Sequence, residues 1–325
     1  RNLAKKCLDR CNELINFCNS IKYTDFKKNT NKELWKAFSK YVQKQMRAMT
    51  FLALATILDN IMEEKIILSI QRKNLPNEVA AKLVFPSYMS TPAKERLSLL
   101  NLALKLENNP NHDYKIELKK IYEKFCWSSN LYWWGDNKNM KYYDKKLREL
   151  QKTDVKKELM TLNEEIADNK KEFELIIKKY NLDDDFVSYC RVAQDWAFLR
   201  TYRIEATYEG NYLIENLRKE ISKRMALKEE KDFYQLTLPE IQYFLLNNLN
   251  VDYTKINERK LGYILFFFDE KNFLFTGKDI DRFIQKEKDI MEVKEITGNI
   301  VYIGKIEGRA KIVKKSSELS KLKKG

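Results

Sequence analysis

Residues 155–186 have the sequence VKKELMTLNEEIADNKKEFELIIKKYNLDDDF, in which a mostly apolar stripe alternates gaps of four and three. The stripe consists of Val155, Leu159, Leu162, Ile166, Asn169, Phe173, Ile176 and Tyr180. This heptad spacing predicts one long helix. The polar turn NLDDD, residues 181–185, then ends that helix. A second helix, from Phe186 to about Met225, is expected to follow, so that the two form an antiparallel hairpin.

The second helix of this hairpin has a seam of its own, and the middle of the seam is polar. Its positions are Phe186, Tyr189, Ala193, Trp196, Arg200, Arg203, Thr207, Gly210, Ile214, Leu217 and Ile221. If this face meets another helix, two guanidinium groups are buried and each needs a carboxylate or an anion. Two arginines beside a glycine suit a phosphate or carboxylate ligand. The candidate substrate-binding residues on this helix are Trp196, Arg200, Arg203 and Thr207.

A second interpretation moves the buried stripe around the same helix. The stripe then passes through Leu199, Tyr202, Ala206 and Leu213. In that case Arg200 and Arg203 are solvated, or are paired with Glu205 or Glu209. The sequence leaves both interpretations open.

An aromatic-rich segment precedes the hairpin and contains Trp127, Tyr132, Trp133, Trp134, Tyr142 and Tyr143. Aromatic rings offer flat apolar surface with polar tips, which suits a planar or extended ligand. Trp133 and Trp134 are therefore two further candidate substrate-binding residues. The alternative is that the rings close one end of a helical bundle.

The rest of the 325-residue chain also favours helices, because only 8 Gly and 5 Pro occur in it. Near residue 260 the pattern changes, and the apolar run Tyr263 to Phe268 before a polar turn predicts a β-hairpin. We therefore expect a mainly α fold, a long-helix bundle with an antiparallel helical hairpin followed by a small α+β C-terminal segment. The expected segments are a helical domain over 1–255, an α+β linker over 256–291, and the start of a further domain over 292–325.

Several functional classes are disfavoured by composition. The longest apolar run, Phe51 to Leu58, is far shorter than the roughly 18 residues that span a bilayer. The net charge is +14, but the lysines are scattered among glutamates along the chain, which disfavours nucleic acid as a partner.

Metal binding and histidine chemistry are disfavoured as well. The five cysteines include no CxxC pair, so we expect core thiols in a cytoplasmic protein and no metal site. The only histidine, His112, lies in the turn-like segment NNPNHDY and is expected to be a loop residue rather than a catalyst.

Three segments resemble one enzyme family. Residues 296–325, ITGNIVYIGKIEGRAKIVKKSSELSKLKKG, resemble the opening of the mobile phosphohistidine domain of phosphoenolpyruvate synthase and pyruvate phosphate dikinase, with Gly298, Gly304 and Gly308 at its glycine positions. KDFYQLTLPEI, residues 231–241, and IYEKFCWSSNLYWWG, residues 121–135, are similar to two other segments of these enzymes.

The resemblance implies that the chain is part of an ATP-dependent phosphotransferase. In such enzymes a nucleotide-binding domain phosphorylates a histidine on a swivelling domain, and that histidine passes the phosphoryl group to a substrate. The implied partners are the ATP-binding and phosphohistidine domains of the same polypeptide and a small-molecule phosphoryl acceptor, and the implied cofactors are ATP and Mg²⁺. No Thr-x-Gly-Gly-x-x-Ser-His-Ala motif or phosphate loop occurs in the sequence, so we expect a substrate-binding or spacer region without its own catalysis. The alternative is a non-enzymatic helical scaffold.

Overall fold

The computed structural model describes residues 2–51, 64–85, 88–129, 137–247, 250–268, 271–277 and 279–280. The chain divides into two compact units, Arg1–Ile256 and Asn257–Gly325. The predicted segment 292–325 lies outside the described residues.

The first unit is built from helices. They are α1 (Asn2–Ile21), α2 (Asn31–Met49), α3 (Asn77–Val84), α4 (Thr91–Asn108), α5 (Lys115–Phe125), α6 (Met140–Leu150), α7 (Val155–Lys179), α8 (Asp184–Leu213), α9 (Glu215–Arg224) and α10 (Leu238–Asn247). Residues 64–72 are also helical. Short 3-10 helices span Phe26–Lys28, Cys126–Ser129 and Glu230–Gln235, and α11 (Tyr253–Leu261) crosses into the second unit. The predicted mainly α fold is confirmed.

The turn between α7 and α8 has the chemistry that its sequence predicts. Asn181 has a φ of 45°, the left-handed conformation that asparagine tolerates after a helix end. The N–H of Leu182 then donates to the carbonyl of Ile177 at 3.1 Å, which closes a Schellman motif. Asp183 begins the next helix, because its carboxylate accepts a hydrogen bond from the N–H of Phe186 at 2.8 Å.

The stripe of α7 packs into two different cores. Near its start, Val155 and Leu159 join a core with residues of α4, α5 and α6. Near its end, Phe173 and Ile176 join a core that also contains residues of α3, α8 and 64–72. The two arms of the hairpin therefore share a core beside their connecting turn, while further along α7 packs on α4 and α8 packs on α1.

Among the described residues, α8 makes its most extensive helix contact with α1. The facing side of α1 presents Cys7, Cys11, Leu14 and Cys18, all with 0% of their surface exposed. A Cβ built on Gly210 of α8 would lie 3.5 Å from both Leu14 and Cys18. Gly210 therefore faces α1, and the predicted role of this glycine in admitting a ligand is replaced by helix packing.

The second unit contains a β-hairpin. Strands β1 (Tyr263–Phe268) and β2 (Lys271–Thr276) pair antiparallel, with Tyr263 opposite Thr276 and Phe268 opposite Lys271. The hairpin expected from the apolar run is thus confirmed.

No helix in the described part of the chain has the length and apolar character needed to cross a membrane. All five cysteines are buried and free, which confirms the expected core thiols.

We expect Gly210→Ala to stabilise the protein by about 0.5–1 kcal/mol, because alanine is the better helix former and its methyl group meets only ordinary van der Waals contacts. Urea denaturation of the two proteins measures the difference. Gly210→Leu is the control, since its larger side chain must push against α1 and should lower stability. A loss of stability in the alanine variant would mean that α1 and α8 are packed more tightly than the distances indicate.

Candidate functional site

An apolar groove of about 430 Å³ lies between residues 64–72, α3 and α8. This volume lies within the range of typical small-molecule sites. Alanines from both sides make room for the groove, namely Ala80 and Ala81 on α3 and Ala193 and Ala197 on α8. Helix faces with such short side chains leave space between their backbones that bulkier residues would fill.

The groove has isoleucine walls and a polar end. Ile66, Ile67 and Ile70 come from the helix of residues 64–72, and Trp196 and Arg200 come from α8. Trp196 is buried, whereas Arg200 is exposed. Of the described residues that line the groove, Arg200 alone carries a charge. The arrangement suits a ligand with an apolar body and one anionic or hydrogen-bond-accepting group.

The structure separates the four candidate residues of α8. Trp196 and Arg200, four residues apart, line the groove together. Arg203 is buried, with 1% of its surface exposed, and lies near α1 instead. Thr207 is buried against α2, where its hydroxyl lies 3.4 Å from the sulfur of Met49 and also donates to the carbonyl of Arg203 at 3.1 Å. The expectation that both arginines point into one interior is therefore corrected for Arg200.

Both proposed stripes of α8 contain buried residues, so neither interpretation describes the helix alone. Leu199, Ala206 and Leu213 belong to the core formed with α1 and α2. Arg203, Thr207 and Gly210 on the other stripe are buried as well. The reason is that α8 is covered on several sides, and a covered helix has no single apolar face.

Arg203 shares its surroundings with the thiols of Cys7 and Cys11. The pKa of Cys7 lies below its usual value, first because the Cys11 thiol donates a hydrogen bond to it and also because of the positive charge of Arg203, although burial opposes both effects. The hydrogen bond to Cys7 and burial raise the pKa of Cys11. Arg203 thus belongs to the α1–α8 interface and not to the groove.

Trp133 and Trp134 lie outside the described residues, but the ends of their segment are described. Lys138 forms an ion pair with the buried carboxylate of Glu95 at 2.7 Å, and the hydroxyl of Ser128 donates to the same carboxylate at 3.2 Å. Trp127 is buried, and its ring N–H donates to the carbonyl of Lys124 at 2.8 Å. Trp127 therefore lies in the interior of the helical unit, while both interpretations of Trp133 and Trp134 stay open.

The sequence did not indicate that Glu205 and Glu209 on α8 influence each other's charge. Burial and the negative charge of Glu205 raise the pKa of Glu209 to about 7, and Lys124, Lys22 and Lys94 oppose this shift. The sequence shows that Glu205 and Glu209 are four residues apart, but it indicated them only as partners for the arginines. The burial that makes Glu209 unusual comes from the helices packed around it.

Glu205 has a partner of its own. Its carboxylate accepts a hydrogen bond from the hydroxyl of Thr91 at 2.6 Å.

Within the described residues, no group of three or more His, Cys, Asp or Glu side chains is arranged to hold a metal ion. His112 lies in a loop, where its ring Nε2 is 2.8 Å from a carboxylate oxygen of Glu117.

We expect Arg203→Ala to cost about 2–5 kcal/mol of unfolding free energy, because it leaves a large cavity between α1 and α8. Arg203→Met fills most of that space and should therefore cost less than Arg203→Ala does. Arg200→Ala is the matched control on the exposed side and should change stability by less than about 0.5 kcal/mol. Urea denaturation measures all three. Equal losses at positions 200 and 203 would contradict the separation of the two arginines.

Glu209 should make stability depend on pH. Its folded-state pKa of about 7 lies above its ordinary value of 4.5, so the folded protein binds more protons than the unfolded chain between these values. The stabilisation is complete below 4.5 and is lost as the pH rises to about 7. We expect Glu209→Gln to flatten this part of the stability curve and to raise stability at pH 8 by about 1–3 kcal/mol. Glu107→Gln, at an exposed position, is the control, and an unchanged curve for Glu209→Gln would refute the assignment.

Comparison with known proteins does not assign a function to the groove. No protein-family model, no curated protein and no solved structure matches the chain. The resemblance to phosphoenolpyruvate synthase and its relatives therefore stays a prediction that rests on three segments of sequence.

Proposed function

We propose that the helical unit is the substrate-binding part of a phosphotransferase resembling phosphoenolpyruvate synthase, and that the groove beside Trp196 and Arg200 receives the phosphoryl acceptor. The observation that carries this proposal is that Trp196 and Arg200 line one groove of suitable volume. The sequence segments similar to that family supply the reaction class. The volume and lining of the groove support its assignment as the acceptor site.

The lining determines what kind of acceptor is favoured. Isoleucines and alanines favour an apolar body, because burying it removes apolar surface from water. A guanidinium group at the end favours a carboxylate, a phosphate or a carbonyl oxygen, since its N–H donors hold two oxygens in fixed geometry. An amphipathic organic acid combines both features.

The phosphoryl transfer itself is assigned to other parts of the parent enzyme. In the described part of the chain, no group of three or more His, Cys, Asp or Glu side chains could hold a metal ion. The role proposed for this unit is to bind the acceptor and to hold its apolar part away from water.

A helical interaction protein is the second candidate. It is favoured by exposed apolar side chains at Ile67, Leu68 and Phe85, which belong to or follow the helices that form the groove. Such a surface suits another protein as well as a small molecule. The amino-acid sequence that follows Gly325 in the natural gene product separates the two functions. A Gly-Gly-x-x-Ser-His segment there supports the phosphotransferase, and a stop codon supports the interaction protein.

Binding of an amphipathic anion tests the groove directly. Anilinonaphthalene sulfonate, an aromatic ring system with one sulfonate, should bind the chain in a single class of sites, measured by its fluorescence. We expect Ala197→Leu, which fills the groove, to weaken binding by about tenfold or more, and Arg200→Gln to weaken it several-fold.

The controls keep this experiment specific. Arg191→Gln removes an exposed arginine from the same helix and should leave dye binding unchanged. Arg191 lies outside the groove, where it forms an ion pair with Glu174 at 3.3 Å. Melting temperatures show that each variant is folded. If Ala197→Leu binds the dye as well as the original chain does, the groove is not the site and the proposal fails.

A further inference from the structure

We propose that α5 and α6 form a second binding site, for a chain of linked phosphate groups. A groove of about 730 Å³ lies between these helices. Of the ten described residues that line it, half are cationic, and they are Lys115, Lys141, Lys145, Arg148 and Lys152. Two carboxylates, Asp144 and Glu149, are also among these described residues. This proposal does not depend on the function assigned to the groove beside α8.

The cations are arranged in a stripe. Lys141, Lys145, Arg148 and Lys152 are separated by four, three and four residues, so they lie on one side of α6 and of the turn after it. At 1.5 Å per residue this stripe is about 16 Å long. Lys115 faces it from the start of α5. The site therefore offers about one positive charge per helical turn along an extended line.

The carboxylates of the groove are already used by neighbouring side chains. Asp144 accepts hydrogen bonds from Arg148 at 2.9 Å and from the hydroxyl of Tyr114 at 3.2 Å. Glu149 accepts one from Lys146 at 2.9 Å, and Lys145 lies 3.9 Å from it. The pKa of Glu149 lies below its usual value, mainly because Lys146 donates a hydrogen bond to its carboxylate and also because of the positive charges of the neighbouring lysines.

Three ammonium groups of the groove are not neutralised within this arrangement. No carboxylate of the described residues lies within 4 Å of Lys115, Lys141 or Lys152, whose side chains are all exposed. Like charges gathered on one surface repel one another, and an anion that bridges them relieves this repulsion. A ligand with several linked negative charges gains more from this geometry than a single small anion does.

The chemistry favours phosphate over nucleobases. Lysine ammonium groups bind phosphate as point charges. Proteins that bind single-stranded nucleic acid also supply aromatic faces on which bases stack. Here the one aromatic residue in the described lining is Tyr114, which is half-buried and whose hydroxyl is bonded to Asp144. We therefore infer recognition of the phosphate chain itself, either as inorganic polyphosphate or as the triphosphate of a nucleotide.

Isothermal titration of the full chain with tripolyphosphate tests this site. We expect tripolyphosphate to bind at least about tenfold more tightly than orthophosphate, and its Kd to rise about tenfold or more between 50 and 200 mM salt. ATP distinguishes the two sources: equal affinity for ATP indicates a nucleotide triphosphate, and weaker binding of ATP indicates an inorganic chain. Both results support a phosphate-chain site.

Matched variants show whether the stripe is responsible. The triple variant Lys141→Gln, Lys145→Gln, Lys152→Gln should weaken tripolyphosphate binding by at least about tenfold. The control is Lys32→Gln, Lys36→Gln, Lys40→Gln, which removes the same charge from three exposed lysines on one side of α2. Both triple variants should still bind anilinonaphthalene sulfonate, so the two grooves are tested separately.

Three results would overturn the inference. One is equal affinity for orthophosphate and tripolyphosphate. Another is an equal loss in the two triple variants, since that would mean general attraction to a chain with a net charge of +14. The last is a single-stranded RNA oligomer that binds in this groove more tightly than tripolyphosphate, because bases would then contribute to recognition.

Discussion

The packing of α8 against α1 is the constraint on which the rest of the helical unit depends. The side of α1 that faces α8 carries three thiols and a leucine, all fully buried, and Gly210 lies against two of these residues, Leu14 and Cys18. Small side chains on both helices let their backbones come close, so van der Waals contact along this interface is dense. Because this packing fixes the orientation of α8, it also fixes which side chains of α8 face solvent.

The position of α8 explains why the candidate site has the chemistry it has. The side away from α1 presents alanines and Trp196 to residues 64–72 and α3, which leaves an apolar groove that ends at Arg200. Arg203 occupies the interior of the unit, where it takes the role of a large packing residue beside two thiols. One arginine of the pair is thus buried in the interior, and the other is exposed at the end of the groove.

The two grooves of the unit differ in a way that suits different ligands. The groove beside α8 is apolar with one cation at its end, and the groove between α5 and α6 is cationic over a floor that includes the buried Leu118. The first gains free energy mainly by removing apolar surface from water, and the second gains it from charge. If both proposals hold, a single helical unit binds an organic acceptor and a phosphate chain at separate places.

The sequence alone indicated the mainly helical fold, the turn at residues 181–185 and the hairpin of residues 263–276, because periodicity and helix-end chemistry act between near neighbours. The single helix predicted from Phe186 to about Met225 is wrong, since the chain is divided at Ile214 into α8 and α9. It also identified Trp196 and Arg200 as residues of interest. Which stripe of α8 is buried was decided by tertiary structure, since a helix covered on several sides has no single apolar face. Arg200 and Arg203 are only three residues apart, yet α1 covers one and leaves the other exposed. The cations of α6 lie near Lys115 only because α5 and α6 pack together. Lys115 is far from them in the sequence, so no local sequence pattern indicates that they meet.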